Sequence, residues 1–159
     1  MSYEKARDYL AQRGFSDRII LFDVSSATVA LAARALGCEE CRIAKSLSFD
    51  QNGRTVLVIA AGDVKVDNHK YKERFGCKAR MLSSQEAEER VGHAVGGVCP
   101  FGVNDGVEIY LDESLRRFDV VYPAAGTSAS AVRLTPAELE RLLPQAVWVD
   151  VCRLSNPSD

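Results

Sequence analysis

Apolar residues recur along this chain at two spacings, and the switching between them predicts short helices interleaved with short strands. Over residues 2–13, Tyr3, Ala6 and Leu10 fall on one helical face, Ser2 can cap the first turn, and Gly14 supplies a left-handed stop. The run RIILFDV (18–24) then reads as a strand. Ser25 or Ser26 can cap a second helix over TVALAARALG, closed at Gly37. IAKSLSFD (43–50), the turn QNG and RTVLVIAAG (54–62) predict a hairpin. Its second arm is apolar at almost every position, as a strand covered on both faces would be.

Further along, Asp67 caps a helix over NHKYKERF that Gly76 stops, and KARML (78–82) reads as a strand. Ser83 and Glu86 form a capping-box pattern for a helix ending near Gly92. The loop HAVGGVCPFG (93–102) precedes strands at VEIYL, FDVVYPA and SAVRL. Thr135, Pro136 and Glu138 combine a cap, a first-turn proline and a capping-box glutamate, and AVWVDV is a last strand. Seven or eight strands and five short helices, with hairpins among them, predict one mixed α+β domain with a curled sheet rather than a regular βαβ series. That domain covers residues 1–152, and 153–159 form a loose polar tail.

Charge and composition remove several function classes. A formal net charge of −2 over 159 residues excludes a sequence-independent nucleic-acid coat but not a local basic patch. Five cysteines, an odd number, do not suit a secreted disulfide framework. The first ten residues lack the apolar core of a signal peptide, and no apolar run approaches the roughly 20 residues of a membrane span. The expectation is a soluble protein of a reducing cytoplasm, without a membrane partner.

Candidate chemistry starts with Lys45. In an extended IAKSLSF, Ile43, Lys45, Leu47 and Phe49 share one face, so the lysine sits in an apolar row, where an unpaired ammonium is costly. The alternative is a strand-end lysine that snorkels to water. In the loop VGGVCPFG, Gly96, Gly97 and Gly102 allow backbone angles that aim N–H groups at an oxygen, with Pro100 stiffening the middle; a plain tight connection is the alternative. Cys99 could be a nucleophile only with His69 or His93 as its base, and no diagnostic spacing joins them. Cys38 and Cys41 form a lone C-x-x-C without the further ligands of a zinc site. Asp63, Asp67, Asp112 and Glu113 fit turns and caps better than catalysis. Lys65, Lys70, Lys72, Arg74, Lys78 and Arg80 crowd one helix and its flanks, a solvated face or a phosphate-contacting patch; Lys70 and Arg74 share a helical face and Lys72 points away.

These pieces resemble the YbaK/ProX-type aminoacyl-tRNA deacylases, also called the prolyl-tRNA-synthetase-associated editing domain. The matching elements are IAKSLSFD before VLVIAAGD, then GHAVGGVCPFG, IYLDESLRRFDVVYPAAG and VRLTPAEL, in the family's order over about residues 25 to 143. The resemblance implies a barrel-like curled sheet and removal of a mischarged amino acid (Cys, Ala or another small residue) from tRNA(Pro) or a related tRNA. It places the family lysine at Lys45 and the family's G-x-x-x-P loop at Gly96 through Pro100. On this reading Lys45 is catalytic, and Phe22, Gly96, Gly97, Val98, Cys99, Pro100, Phe101, Gly102 and Gly126 contact the substrate. Lys65, Lys70, Arg74, Lys78 and Arg80 contact tRNA. No metal or other cofactor is implied; the partners are the acceptor end of an aminoacylated tRNA and prolyl-tRNA synthetase. Relatives carry Tyr at Phe22, Ser and Asp at Ala124 and Ala131, and usually Ser at Cys99, departures that bear on amino-acid specificity. A non-catalytic binding module on the same fold and a Cys99-dependent thiol hydrolase are the alternatives.

Overall fold

A hairpin organises the chain. In the computed structural model, which describes residues 2–25, 28–94 and 96–155, β2 (Ile43–Gln51) runs antiparallel to β3 (Arg54–Ala61). The turn between them holds both central residues at positive φ, Asn52 at 54° and Gly53 at 92°, the twist that two-residue hairpins favour. Asp50 Oδ1 accepts from Gly53 N at 3.2 Å and fixes that turn.

Around the hairpin, β5 (Glu108–Asp112), β6 (Tyr122–Pro123) and β8 (Val147–Val149) complete a five-stranded mixed sheet in the order β6-β2-β3-β5-β8. Only β2 and β3 are antiparallel within it; β6, β5 and β8 join in parallel. Two antiparallel pairs flank it: β1 (Ile19–Leu21) with β7 (Ser130–Val132), and β4 (Val64–Val66) with β9 (Cys152–Leu154). Every residue from Val56 to Ala61 is fully buried, which accounts for the unbroken apolar run of β3. This curled α+β architecture matches the expectation.

Five helices, α1 (Ser2–Gln12), α2 (Val29–Leu36), α3 (Asn68–Phe75), α4 (Ser84–Val91) and α5 (Pro136–Leu142), lie where the periodicity puts them. Both capping boxes form: Ser83 with Glu86, and Thr135 with Glu138. The cap of α2 is Thr28, whose Oγ1 accepts from Leu31 N at 3.1 Å, and not Ser25, which instead bonds Ser128; Ser26 lies outside the described residues.

Other expectations need correction. KARML is not a strand. It meets β2 through one bridge, Phe49 to Met81, flanked by Asp50 N to Arg80 O and Leu82 N to Ser48 O. Lys78, Arg80 and Met81 are all exposed and only Ala79 and Leu82 turn toward the core, too little apolar surface to extend the pairing beyond one bridge. Arg153 and Leu154, expected in the loose tail, extend β9, paired to the equally unforeseen β4; residues 156–159 lie outside the described residues.

Asp112 ties the far end of the sheet to the chain terminus. It is 1% exposed; one carboxylate oxygen accepts from Ser114 N at 3.0 Å and the other from Val151 N at 2.9 Å. Replacing Asp112 with Ala strands two backbone N–H groups, so Asp112→Ala loses about 2–4 kcal/mol of stability by urea unfolding. A loss below about 0.5 kcal/mol would show that β9 docks without it.

Candidate active site

Lys45 enters the site on β2, with Ile43 buried two residues before it and Leu47 packed against the core two residues after. The side chain does not snorkel away. Its Nζ donates to the carbonyl of Gly62 at 3.4 Å and, at closer range, to that of Val64. Burial pushes its pKa below the ordinary lysine value, and the nearby Cys152 and Asp63 oppose that shift. Its hydrogen-bond partners are neutral carbonyls, and it makes no ion pair among the described residues.

Lys45 lines a cavity of about 230 Å³. One wall is the α2 side, through Thr28, Val29, Ala32 and Leu36. Ile43, Ala44 and Ser46 of β2 form another, and Tyr122, Ala124, Ser130 and Ala131 a third. Gly96 and Val98 bring the glycine loop to its edge. The α2 wall, Tyr122 and Ser46 were not singled out from the sequence. Ala124 and Ala131, noted there only as departures from the family pattern, both reach the cavity.

The glycine loop is positioned by contact between backbones. A Cβ on Gly97 would lie 2.4 Å from both Gly126 C and Thr127 N, so no side chain fits. Gly126, at φ 86°, itself abuts Ser2 at the start of α1, and Gly102, at φ 69°, abuts Lys5 O. Gly97 N donates to Ala94 O at 3.0 Å.

Of the other expected substrate contacts, Cys99, Pro100 and Phe101 are buried and do not line the cavity. Phe22 is half-buried, its N–H donating to Ala129 O at 2.8 Å, and it does not line the cavity either.

Cys99 does have a histidine neighbour, a pairing no sequence spacing announced. His93 Nε2 lies 3.6 Å from its sulfur. That Nε2–H donates to Phe101 O at 2.7 Å, and Nδ1 accepts from Ser2 Oγ at 2.8 Å. Both ring nitrogens are therefore occupied, and neither can take a proton from the thiol. Burial pushes the Cys99 thiol up to about 12 and holds His93 below the ordinary histidine range. The pair is a neutral staple, not a thiolate–imidazolium couple.

The basic stretch is only partly available. Lys70 donates to Asp150 at 3.0 Å and to Cys152 O at 3.0 Å, and Arg80 pairs with Asp50 at 3.1 Å. Arg74 lies over the rings of Phe75 and Tyr110, at 5.2 and 5.9 Å. Lys65 is half-buried on β4. Lys72 and Lys78 are exposed, with no ion pair among the described residues.

Comparison with known proteins bears on this geometry. The aminoacyl-tRNA editing domain matches residues 24–142, a span that includes Lys45, the glycine loop and every cavity wall. The uncharacterized protein YwhH of Bacillus subtilis (strain 168) is 48% identical over 154 residues, 96% of this chain and 98% of that protein. A proline–tRNA ligase of Geobacillus thermodenitrificans (strain NG80-2) is 29% identical over 95% of this chain, which spans 29% of that enzyme's length. A solved structure proposed to be a trans-editing enzyme for prolyl tRNA synthetase has a TM-score of 0.86 and 33% identity, over 96% of this chain and 97% of that one. The hypothetical protein APE2540 has a TM-score of 0.84 and 28% identity, over 94% and 99%. No helix among the described residues is long and apolar enough to cross a membrane.

Because the folded protein favours neutral His93, the unfolded chain takes up a proton more readily. The stability this ring contributes is full above about pH 6.5 and declines as pH falls below it, before ordinary carboxylates titrate. Urea midpoints measured from pH 7.5 to 5.5 are expected to fall more steeply for wild type than for His93→Gln. Equal slopes would mean the ring does not carry this dependence.

Proposed function

The chain belongs to the aminoacyl-tRNA editing domain family, and we propose that it hydrolyses a mischarged small amino acid, Cys, Ala or another of that size, from tRNA(Pro) or a related tRNA. The observation that carries this reading is a half-buried ammonium bonded to two main-chain carbonyls, Lys45, on the wall of a small cavity edged by the glycine loop. The likeness to a proline–tRNA ligase and to a structure proposed as a trans-editing enzyme supports the choice of substrate class.

An aminoacyl ester is already activated, so its hydrolysis can rest on charge placement. Gly62 O and Val64 O take two of the three Lys45 donors, which leaves the third for the substrate. There it stabilises the oxyanion or binds the terminal ribose. Gly97 spends its N–H on Ala94, so Gly96 and Val98 are the loop's contacts with the ester. Water or a group of the substrate itself attacks. Ala32, Ala44, Ala124 and Ala131 along the walls suit a small aminoacyl group. The occupied His93 and the raised Cys99 thiol argue against covalent catalysis at Cys99. Prolyl-tRNA synthetase fits as the partner that presents the tRNA, as the match to its relatives suggests.

Deacylation assays separate these roles. Lys45→Ala is expected to lower kcat/KM by roughly 30- to 1000-fold, on the order of 2–4 kcal/mol, while Cys99→Ser retains most activity. Wild-type turnover by a folded Lys45→Ala protein ends the proposal, and a trapped acyl-enzyme that requires Cys99 replaces it.

The tRNA itself docks on the basic stretch with weak, salt-sensitive affinity, because a net charge of −2 gives little long-range attraction. With three phosphate contacts, raising salt from about 50 to 200 mM lowers affinity roughly 40-fold. Lys72 and Lys78 are exposed, whereas Lys70 is held by Asp150, so Lys72→Glu/Lys78→Glu is expected to flatten the salt dependence more than Lys70→Glu does. Unchanged affinity and slope in the double variant would place the tRNA on another face.

A further inference from the structure

The polar side chains around the cavity are engaged within the protein, with one exception. Thr28 Oγ1 caps α2. Ser130 Oγ accepts from Ala125 N at 3.0 Å and donates to Thr127 O at 2.8 Å. Tyr122 OH accepts from Arg133 at 2.9 Å, and Lys45 donates to its two carbonyls. Ser46 differs. Its Oγ is shut off from solvent and has no hydrogen-bond partner, the one such buried side-chain atom among the described residues.

Buried polar groups in native proteins are almost always bonded, so an orphan hydroxyl on a cavity wall, next in sequence to Lys45, calls for an explanation. Ser46 lines the cavity beside Ile43, Ala44 and Lys45 of the same strand, so its hydroxyl lies within one side chain's length of any ligand held there. The other walls are mainly alanine and branched aliphatic side chains. An apolar wall of that kind discriminates poorly between a methyl group and its hydroxylated counterpart. A built-in hydroxyl discriminates well, because an analogue that cannot bond it leaves it unsatisfied.

We infer that Ser46 determines specificity, its hydroxyl exchanging a hydrogen bond with a hydroxyl on the side chain of the aminoacyl group, so that seryl esters are selected over alanyl esters. The oxygen reaches the ligand by turning about χ1 from its closed position to another staggered one. This rests on the deacylase reading, and it deepens that reading by naming a hydroxyl-bearing substrate.

Seryl and alanyl esters of the same tRNA differ by one hydroxyl and make the test. The ratio of kcat/KM for seryl over alanyl ester is measured for wild type and Ser46→Ala, beside the thermal midpoints of both proteins. The ratio is expected to fall about tenfold or more in Ser46→Ala. The midpoint is expected not to fall, since no bond within the protein is lost. A ratio unchanged within about twofold, as a Ser46 satisfied only by water would give, overturns the assignment of Ser46 and leaves the deacylase reading standing. A lowered midpoint shows that the hydroxyl serves the fold and overturns it too. Wild type that hydrolyses neither ester overturns the deacylase reading and this inference with it.

Discussion

Backbone meets backbone without a side chain between them where Gly97 abuts Gly126 and Gly126 abuts the first turn of α1, and the candidate site depends on that contact. A Cβ at either position would fall 2.4 Å from a main-chain atom, inside any tolerable distance. The approach seats the 96–102 loop against the segment that follows β6, so Gly96 and Val98 reach the cavity that Ala124 and Ser130 line from the other side. Gly102 repeats the device against Lys5, and the His93 ring joins Ser2 to Phe101. The first helix, far from Lys45 in sequence, is thereby part of what aims the loop.

Against this fixed loop stands one held ammonium. Lys45 extends from the central hairpin, where β2 is held along its length by β3. Its carbonyl partners, Gly62 and Val64, sit where β3 hands over to β4. Gly62 is glycine for a steric reason, since a Cβ there would come within 2.0 Å of Glu40 O. The same tight crossing that excludes a side chain presents a carbonyl to the ammonium. Burial lowers the lysine's pKa, and in the proposed mechanism the same desolvation would strengthen its pull on a nearby oxyanion.

Local signals in the sequence carried most of the fold. Asn52–Gly53, the paired capping boxes and the unbroken apolar run of β3 each encode their own geometry within a few residues. Lys45 was legible as well, because strand alternation exposes a charge in an apolar row. What escaped depends on partners distant in sequence. β4 and β9 are three residues each and exist by pairing across the chain, while KARML turns only Ala79 and Leu82 inward and stops at one bridge. The contact of His93 with Cys99 arises from loop closure, and the α2 wall of the cavity from tertiary packing. Ser46 gave no signal at all, because a serine beside an apolar row is ordinary until its lack of a partner is visible.

The same distinction separates a cysteine that reacts from one that packs. Cys99 sits in a glycine-rich loop beside a histidine, a setting that suggests nucleophilic chemistry when only proximity is considered. Proton bookkeeping reverses the conclusion. Phe101 O accepts the hydrogen bond of His93 Nε2–H, Ser2 Oγ donates to Nδ1, and full burial disfavours a thiolate, so each step toward activating the sulfur would break a bond that holds the loop. The network serves rigidity, and rigidity is what an electrostatic mechanism requires: donors aimed in advance at a developing charge spend no free energy reorganising when it appears. In the proposed mechanism that preorganisation falls to Lys45 and the 96–98 edge of the loop, while the histidine and cysteine of the same loop stay chemically quiet.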